Sequence, residues 1–122
     1  MPVTHADVVN VLQPDEIDYP NAARHLSAEA VPILAEIAAG PDPGLASKAA
    51  SLAGFLPGNA ASVILPKAAT HPNPVVRIAA AASIAHHAEL LELADHLAKD
   101  PDEGVRRWAS SSAHALRTQT PN

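Results

Sequence analysis

The side chains best suited to chemistry in this sequence are its seven histidines. A metal centre would need three or four such groups, or acids, to converge on one ion. His86, His87 and His96 form the one cluster close in sequence. Adjacent residues on a helix project about 100° apart, so His86 and His87 are poorly placed to chelate together. His87 also falls on an apolar helical stripe, at the position held by Leu56 and Leu116 in related segments, and reads as an interface histidine. Ser110, Ser111 and Ser112 lie close to His114, but no orienting acid is near them in sequence. They read as a polar helix face, not as a nucleophile and its base. No glycine-rich phosphate loop and no GxSxG elbow occurs. The expectation is a protein that is not an enzyme and holds no metal or cofactor.

What positions these residues is a repeat. Residues 70–85 read THPNPVVRIAAAASIA, a proline-bearing turn followed by an alanine-rich helix. Residues 40–53 (GPDPGLASKAASLA) and 99–113 (KDPDEGVRRWASSSA) repeat the phrase. Pro41, Pro72 and Pro101 mark equivalent turns, spaced as paired-helix repeats are. After each turn, Leu45, Val76 and Val105 share a position. Ala49, Ala80 and Ala109 fall four residues on. Ala53, Ile84 and Ala113 follow, and then Leu56, His87 and Leu116. This is the stripe of an amphipathic helix. Before each turn, Ala30, Ala61 and Leu90 match, as do Ile33, Ile64 and Leu93, and Ile37, Ala68 and Leu97. Both helices of the unit therefore keep the register.

The chain divides on this basis into an N-terminal cap or degenerate repeat (1–26), three repeats (27–57, 58–87 and 88–117) and a polar tail (118–122), all one domain. Thr4 caps a first helix to about Leu12, and Tyr19-Pro20-Asn21 leads a second to Leu26. Ser27 caps a helix over 28–39, in which Pro32 should bend the helix or shift its start. Further helices are expected over 44–56, 60–70, 74–87, 88–99 and 104–117.

Composition narrows the class. Cysteine is absent, which excludes disulfides and thiolate metal sites. No apolar run approaches the length of a membrane span, and the N-terminus lacks the pattern of a secretory leader. A cytoplasmic protein is expected. Hydrophobic residues make up 48%, but 27 of them are alanine, with one each of Phe, Trp and Tyr. Alanine favours helix and lets helices approach closely. The net charge is −5, carried by an acidic front: residues 1–42 sum to −6 and residues 43–122 to +1. An overall negative charge argues against nucleic acid and against an anionic membrane surface. The charge gradient leaves weak self-association open, acidic end to basic end.

The segments 30–56, 63–85 and 91–116 together resemble HEAT repeats, close to the phycobilisome-lyase-type HEAT-like subgroup. The matching pieces are Pro32 and Pro66 in the first helix, the turn residues Asp42, Asn73 and Asp102, the pairs Val76-Arg77 and Val105-Arg106, and the small-residue ladder. The resemblance covers about 27–117. It implies a right-handed α-solenoid of antiparallel helix pairs, about three and a half repeats, with second helices lining a concave face that binds other macromolecules. The first repeat departs from it, with Leu45-Ala46 in place of Val-Arg. The third has Glu92 where the first-helix proline would fall. Di-iron members carry His-Glu dipeptides, and none occurs here.

Within this frame, Asn73 and Asp102 are expected to cap the second helices. Arg77 and Arg106 would pair with turn acids of neighbouring repeats such as Asp42 or Asp102. By helical phase, the positions opposite the core stripe are Ser47, Ala50, Ser51 and Gly54, then Ile78, Ala81, Ala82 and Ala85, then Arg107, Ser110, Ser111 and His114. The partner-binding candidates are Ser47, Ser51, Ile78, Ala82, Arg107, Ser111 and His114, a groove floored by small residues. Trp108 stands where Lys48 and Ala79 stand in the other repeats. It either covers the open end of the stack or anchors a partner. The function expected is a scaffold that binds another protein. The alternatives are a lyase-like or chaperone-like helper that holds a small molecule or modified protein in the groove, and a self-associating structural module.

Overall fold

Each repeated phrase folds as a tight turn and the helix after it, and the helix before the turn completes a pair. The computed structural model describes residues 3–57 and 59–119. They form α1 (His5–Leu12), α2 (Tyr19–Arg24), α3 (Ala30–Ala39), α4 (Pro43–Ala53), α5 (Ala60–Ala69), α6 (Pro74–Ser83), α7 (Leu91–Leu97) and α8 (Glu103–Gln119). Two short 3-10 turns, Ile84–His86 and Ala88–Leu90, join α6 to α7. There is no strand among the described residues, so the fold is all-α.

The turns start the second helix of each pair by one device. The Asp42 carboxylate accepts the Leu45 N–H at 3.1 Å, the Asn73 amide oxygen accepts the Val75 N–H at 2.9 Å, and the Asp102 carboxylate accepts the Val105 N–H at 3.0 Å. Pro43 and Pro74 follow directly, at a position where the missing N–H would have no helical partner. Asp18 starts α2 in the same way, accepting the Asn21 N–H at 3.1 Å. Thr4 and Asp7 form a reciprocal capping box on α1.

Packing joins like to like. The second helices α4, α6 and α8 lie side by side, and α3 packs against α5. Within pairs, α3 meets α4, α5 meets α6 and α7 meets α8. At the N-terminal end α1 touches α3 and α4, and α2 touches α4. The fully enclosed large side chains are Val8, Leu12, Leu34, Leu52, Ile64, Leu65, Val76, Ile84, Leu97 and Val105. The core stripes of the sequence supply most of them. Burial of such a side chain contributes about 1.5–3 kcal/mol, against about 0.8 for an added methyl group. The helices approach closely at two glycines. At Gly54, an added Cβ would stand 3.1 Å from the Ser83 Cβ, and at Gly104 one would stand 2.9 Å from Ile78 Cδ1.

Several expectations need correction. α3 begins at Ala30, not after a Ser27 side-chain cap. The shift brings Pro32 into the first turn of the helix, where its missing N–H costs nothing. α6 ends at Ser83 and α7 begins at Leu91, so the expected helices 74–87 and 88–99 are each shortened by a 3-10 turn. Thr118 and Gln119 continue α8 and are not part of a tail. Residues 120–122 of that tail lie outside the described residues, as does Gly58.

Candidate functional site

Two sets of groups stand out on this frame: a ladder of polar contacts across the turns, and the face of the second helices.

The ladder ties each helix pair to the next. Arg77 donates from Nε to Asp100 Oδ2 at 2.9 Å and from Nη2 to Asp100 Oδ1 at 3.1 Å. Its Nη1 donates to the carbonyls of His71 (2.9 Å) and Pro72 (3.1 Å). Arg106 makes the same grip one helix pair on, donating from Nη1 to the carbonyls of Asp100 and Pro101, both at 2.9 Å. The partner of Arg77 is thus Asp100, and neither Asp42 nor Asp102. Those two carboxylates are turned toward the N–H groups of their own helices. Arg106 holds its own turn and, among the described residues, bonds no acidic side chain.

Asp100 and the Arg77 guanidinium are enclosed, with 9% and 15% of their side chains exposed. Burial pushes the Asp100 carboxyl up. The Arg77 hydrogen bonds, the Asp102 N–H and the charges of Arg77 and Arg106 outweigh it and hold the carboxyl below its ordinary value.

His71 occupies the register position of Asp100 and does an equivalent job with different chemistry. The Asn73 N–H donates to His71 Nδ1 at 3.0 Å. The proton of the neutral ring is therefore on Nε2, 2.7 Å from the Gly40 carbonyl of the preceding helix pair. Asp100 likewise accepts the N–H two residues on, from Asp102 at 2.9 Å. At the first junction, Lys48 Nζ donates to the Pro14 carbonyl at 2.9 Å. At the opposite ends of the helices, His87 Nε2 sits 2.9 Å from the Gly54 carbonyl, and the buried Ser112 hydroxyl donates to the Ala81 carbonyl at 2.6 Å. His87 is therefore an interface histidine. Among the described residues, no three His, Asp or Glu side chains converge as a metal site would require.

The face of the second helices is narrower than helical phase alone suggests. Ala50 and Ala81, placed on that face by the sequence, are wholly buried. The reason is the side-by-side packing. A helix in such a row loses exposure to the pair partner and also to the second helix on each side. Ser47, Ser51, Ile78 and Ala82 are half-buried for the same reason. The Ser47 hydroxyl turns back to the Gly44 carbonyl, and Ile78 meets Gly104 of α8. On α8, the last helix among the described residues, Arg107, Ser110, Ser111 and His114 are exposed.

Two hollows open on this face. One, of about 290 Å³, brings Ser51 and Ala82 together with Tyr19, Phe55, Ser83 and His86. The Tyr19 and Phe55 rings stack there, with centroids 6.3 Å apart and planes 4° from parallel. Burial raises the Tyr19 phenol above its ordinary value, partly offset by the Ser51 side chain. Phe55 remains 51% exposed. The other hollow is lined by Gly104, Arg107, Trp108 and Ser111, and Trp108 is 52% exposed. The phase argument found Ser51, Ala82, Arg107 and Ser111 but missed Tyr19, Phe55, Ser83 and His86. Tyr19 lies in the cap and reaches Phe55 only through the contact of α2 with α4, which no repeat period encodes. His114 lines neither hollow.

No described helix is long and apolar enough to cross a membrane. No protein-family model matches the sequence, and no curated protein is significantly similar to it.

Proposed function

We propose that the chain is a HEAT-like, right-handed α-solenoid of about three and a half repeats that serves as a non-enzymatic cytoplasmic scaffold, binding another protein through the face of its second helices. The observation that carries the reading is Phe55. A large ring held half in solvent costs apolar exposure, and its stacking on Tyr19 fixes it in place. A rigid aromatic beside a shallow, small-residue hollow is the arrangement that anchors protein interfaces. Ser51, Ser83 and His86 supply hydrogen-bonding groups around it. Ser47, Ile78, Arg107, Ser111 and His114 continue the face toward the C-terminal end. The net charge of −5 fits a protein partner better than nucleic acid or an anionic membrane.

Capture from native lysate on immobilised wild type, Ala82→Glu and Phe55→Ala tests this. The expected result is one abundant protein held by wild type and lost from both variants while their helical content is unchanged. The same protein held equally by all three would place binding elsewhere. A bound small molecule with no captured protein would favour the helper role instead.

A further inference from the structure

Among the described residues, the turn ladder has an unused rung at each end. Arg106 is the register equivalent of Arg77, four residues after the residue that caps its helix. Arg77 presents its Nε and Nη2 edge to Asp100 of the following pair. Arg106 uses Nη1 on its own turn in the same way, but its Nε and Nη2 edge has no partner among the described residues, and the side chain is exposed. Among the described residues no helix pair follows α8 there. Arg107 lies beside Arg106 on α8 and is exposed as well.

At the other end, the turn before α2 carries the matching group. Asp100 stands two residues before its helix cap, Asp102. Two residues before Asp18, the cap of α2, stands Glu16. It is exposed and has no partner among the described residues, with Asp15 beside it. The charge gradient of the chain runs the same way: residues 1–42 sum to −6, and α8 with its turn carries Arg106, Arg107 and Arg117.

We propose that a second copy of this chain docks head to tail, its α1–α2 end on the α8 face, with Glu16 taking from Arg106 the place that Asp100 takes from Arg77. Each contact leaves one Arg106 and one Glu16 free, so the association is heterologous and extends beyond two copies. Two charged ends meet in solvent, so it weakens with salt. The proposal goes beyond partner binding at the hollow by Ser51 and Ala82, which this contact does not use.

The experiment follows mass by light scattering, from about 0.05 to 1 mM protein, at about 20 mM and 0.5 M NaCl. At low salt, the mass should climb past two copies of the 12.6 kDa chain. At high salt it should return to the monomer value. Glu16→Arg, at an exposed residue, should abolish the climb. Arg106→Glu should do the same. Mixing the two variants, each inert alone, should restore it. A wild type that stays monomeric at low salt overturns the proposal. So does a mass that stops at a dimer, or a Glu16→Arg variant that associates as the wild type does.

Discussion

Asp100 holds the junction between the last two helix pairs, and its replacement by alanine should cost about 3 kcal/mol of unfolding free energy. Two Arg77 bonds and the Asp102 N–H end on this one carboxylate. Breaking a buried ion pair by removing one partner costs about 3–5 kcal/mol, since the other charge is left enclosed. The lower end applies because Arg77 keeps two carbonyl acceptors for Nη1 and 15% of its side chain meets water. With a urea m-value of about 1.5 kcal/mol/M, the midpoint should fall by roughly 2 M. Circular dichroism at increasing urea measures it. A double-mutant cycle with Arg77→Ala isolates the pair and should return a coupling of about 1.5 kcal/mol or more. A coupling below about 0.5 kcal/mol would mean that the pair behaves as a solvated surface contact, and the ladder would lose its energetic meaning. The pH dependence has a fixed sign. The Asp100 carboxyl is held below its ordinary value, so its contribution is complete above the unfolded-state pKa of about 3.9. It is lost as pH falls through the lower folded value. The gap between wild type and Asp100→Asn should therefore be constant near neutrality and close only in acid.

Other positions give sharper contrasts. His71→Phe keeps the volume of the ring but strands the Gly40 carbonyl and the Asn73 N–H, and should lower stability by about 2 kcal/mol in the same urea titration. Gly54→Val drives a branched side chain into Ser83 and should cost about 1–3 kcal/mol by overpacking. Differential scanning calorimetry reads it as a lower Tm. Arg117 meets Asp95 at 2.8 Å with both side chains about half exposed, so Arg117→Ala should leave the urea midpoint unchanged. A clear loss there would show that exposed pairs matter more in this fold than the enclosed Arg77–Asp100 pair suggests.

The recurring turn-and-helix phrase made much of the fold legible. Asn73 and Asp102 read as helix starts because capping is local chemistry, decided within four residues; Asp42, read as a possible partner for an arginine, caps its helix too. The stripes through Val76, Ala80 and Ile84 read as core for the same reason. What lay between repeats was hidden. Arg77 has several acids within one period of sequence, and only the stacking of turns selects Asp100; Asp42 and Asp102 are taken by capping. His71 and Asp100 share a register position, but a histidine and an aspartate do not look alike, so their common role is visible only in the hydrogen bonds. A single helix also has no means of recording how many neighbours it will have. Ala50 and Ala81 sit opposite the core stripe and are nevertheless buried, since α4, α6 and α8 form a row. Of the site, the small residues Ser51 and Ala82 were readable from phase. The Tyr19–Phe55 stack that gives their hollow an aromatic wall was not.

The proposed binding face is tested most directly by placing a photo-crosslinking amino acid at single positions and irradiating in native lysate. Position 55 lies on the proposed site. Position 63 carries Val63, an exposed apolar residue on α5, and serves as the control. The account predicts one discrete adduct from position 55, absent from position 63 and lost when Ala82→Glu is added. Adducts of equal yield from both positions, or a discrete adduct from position 63 alone, would contradict it.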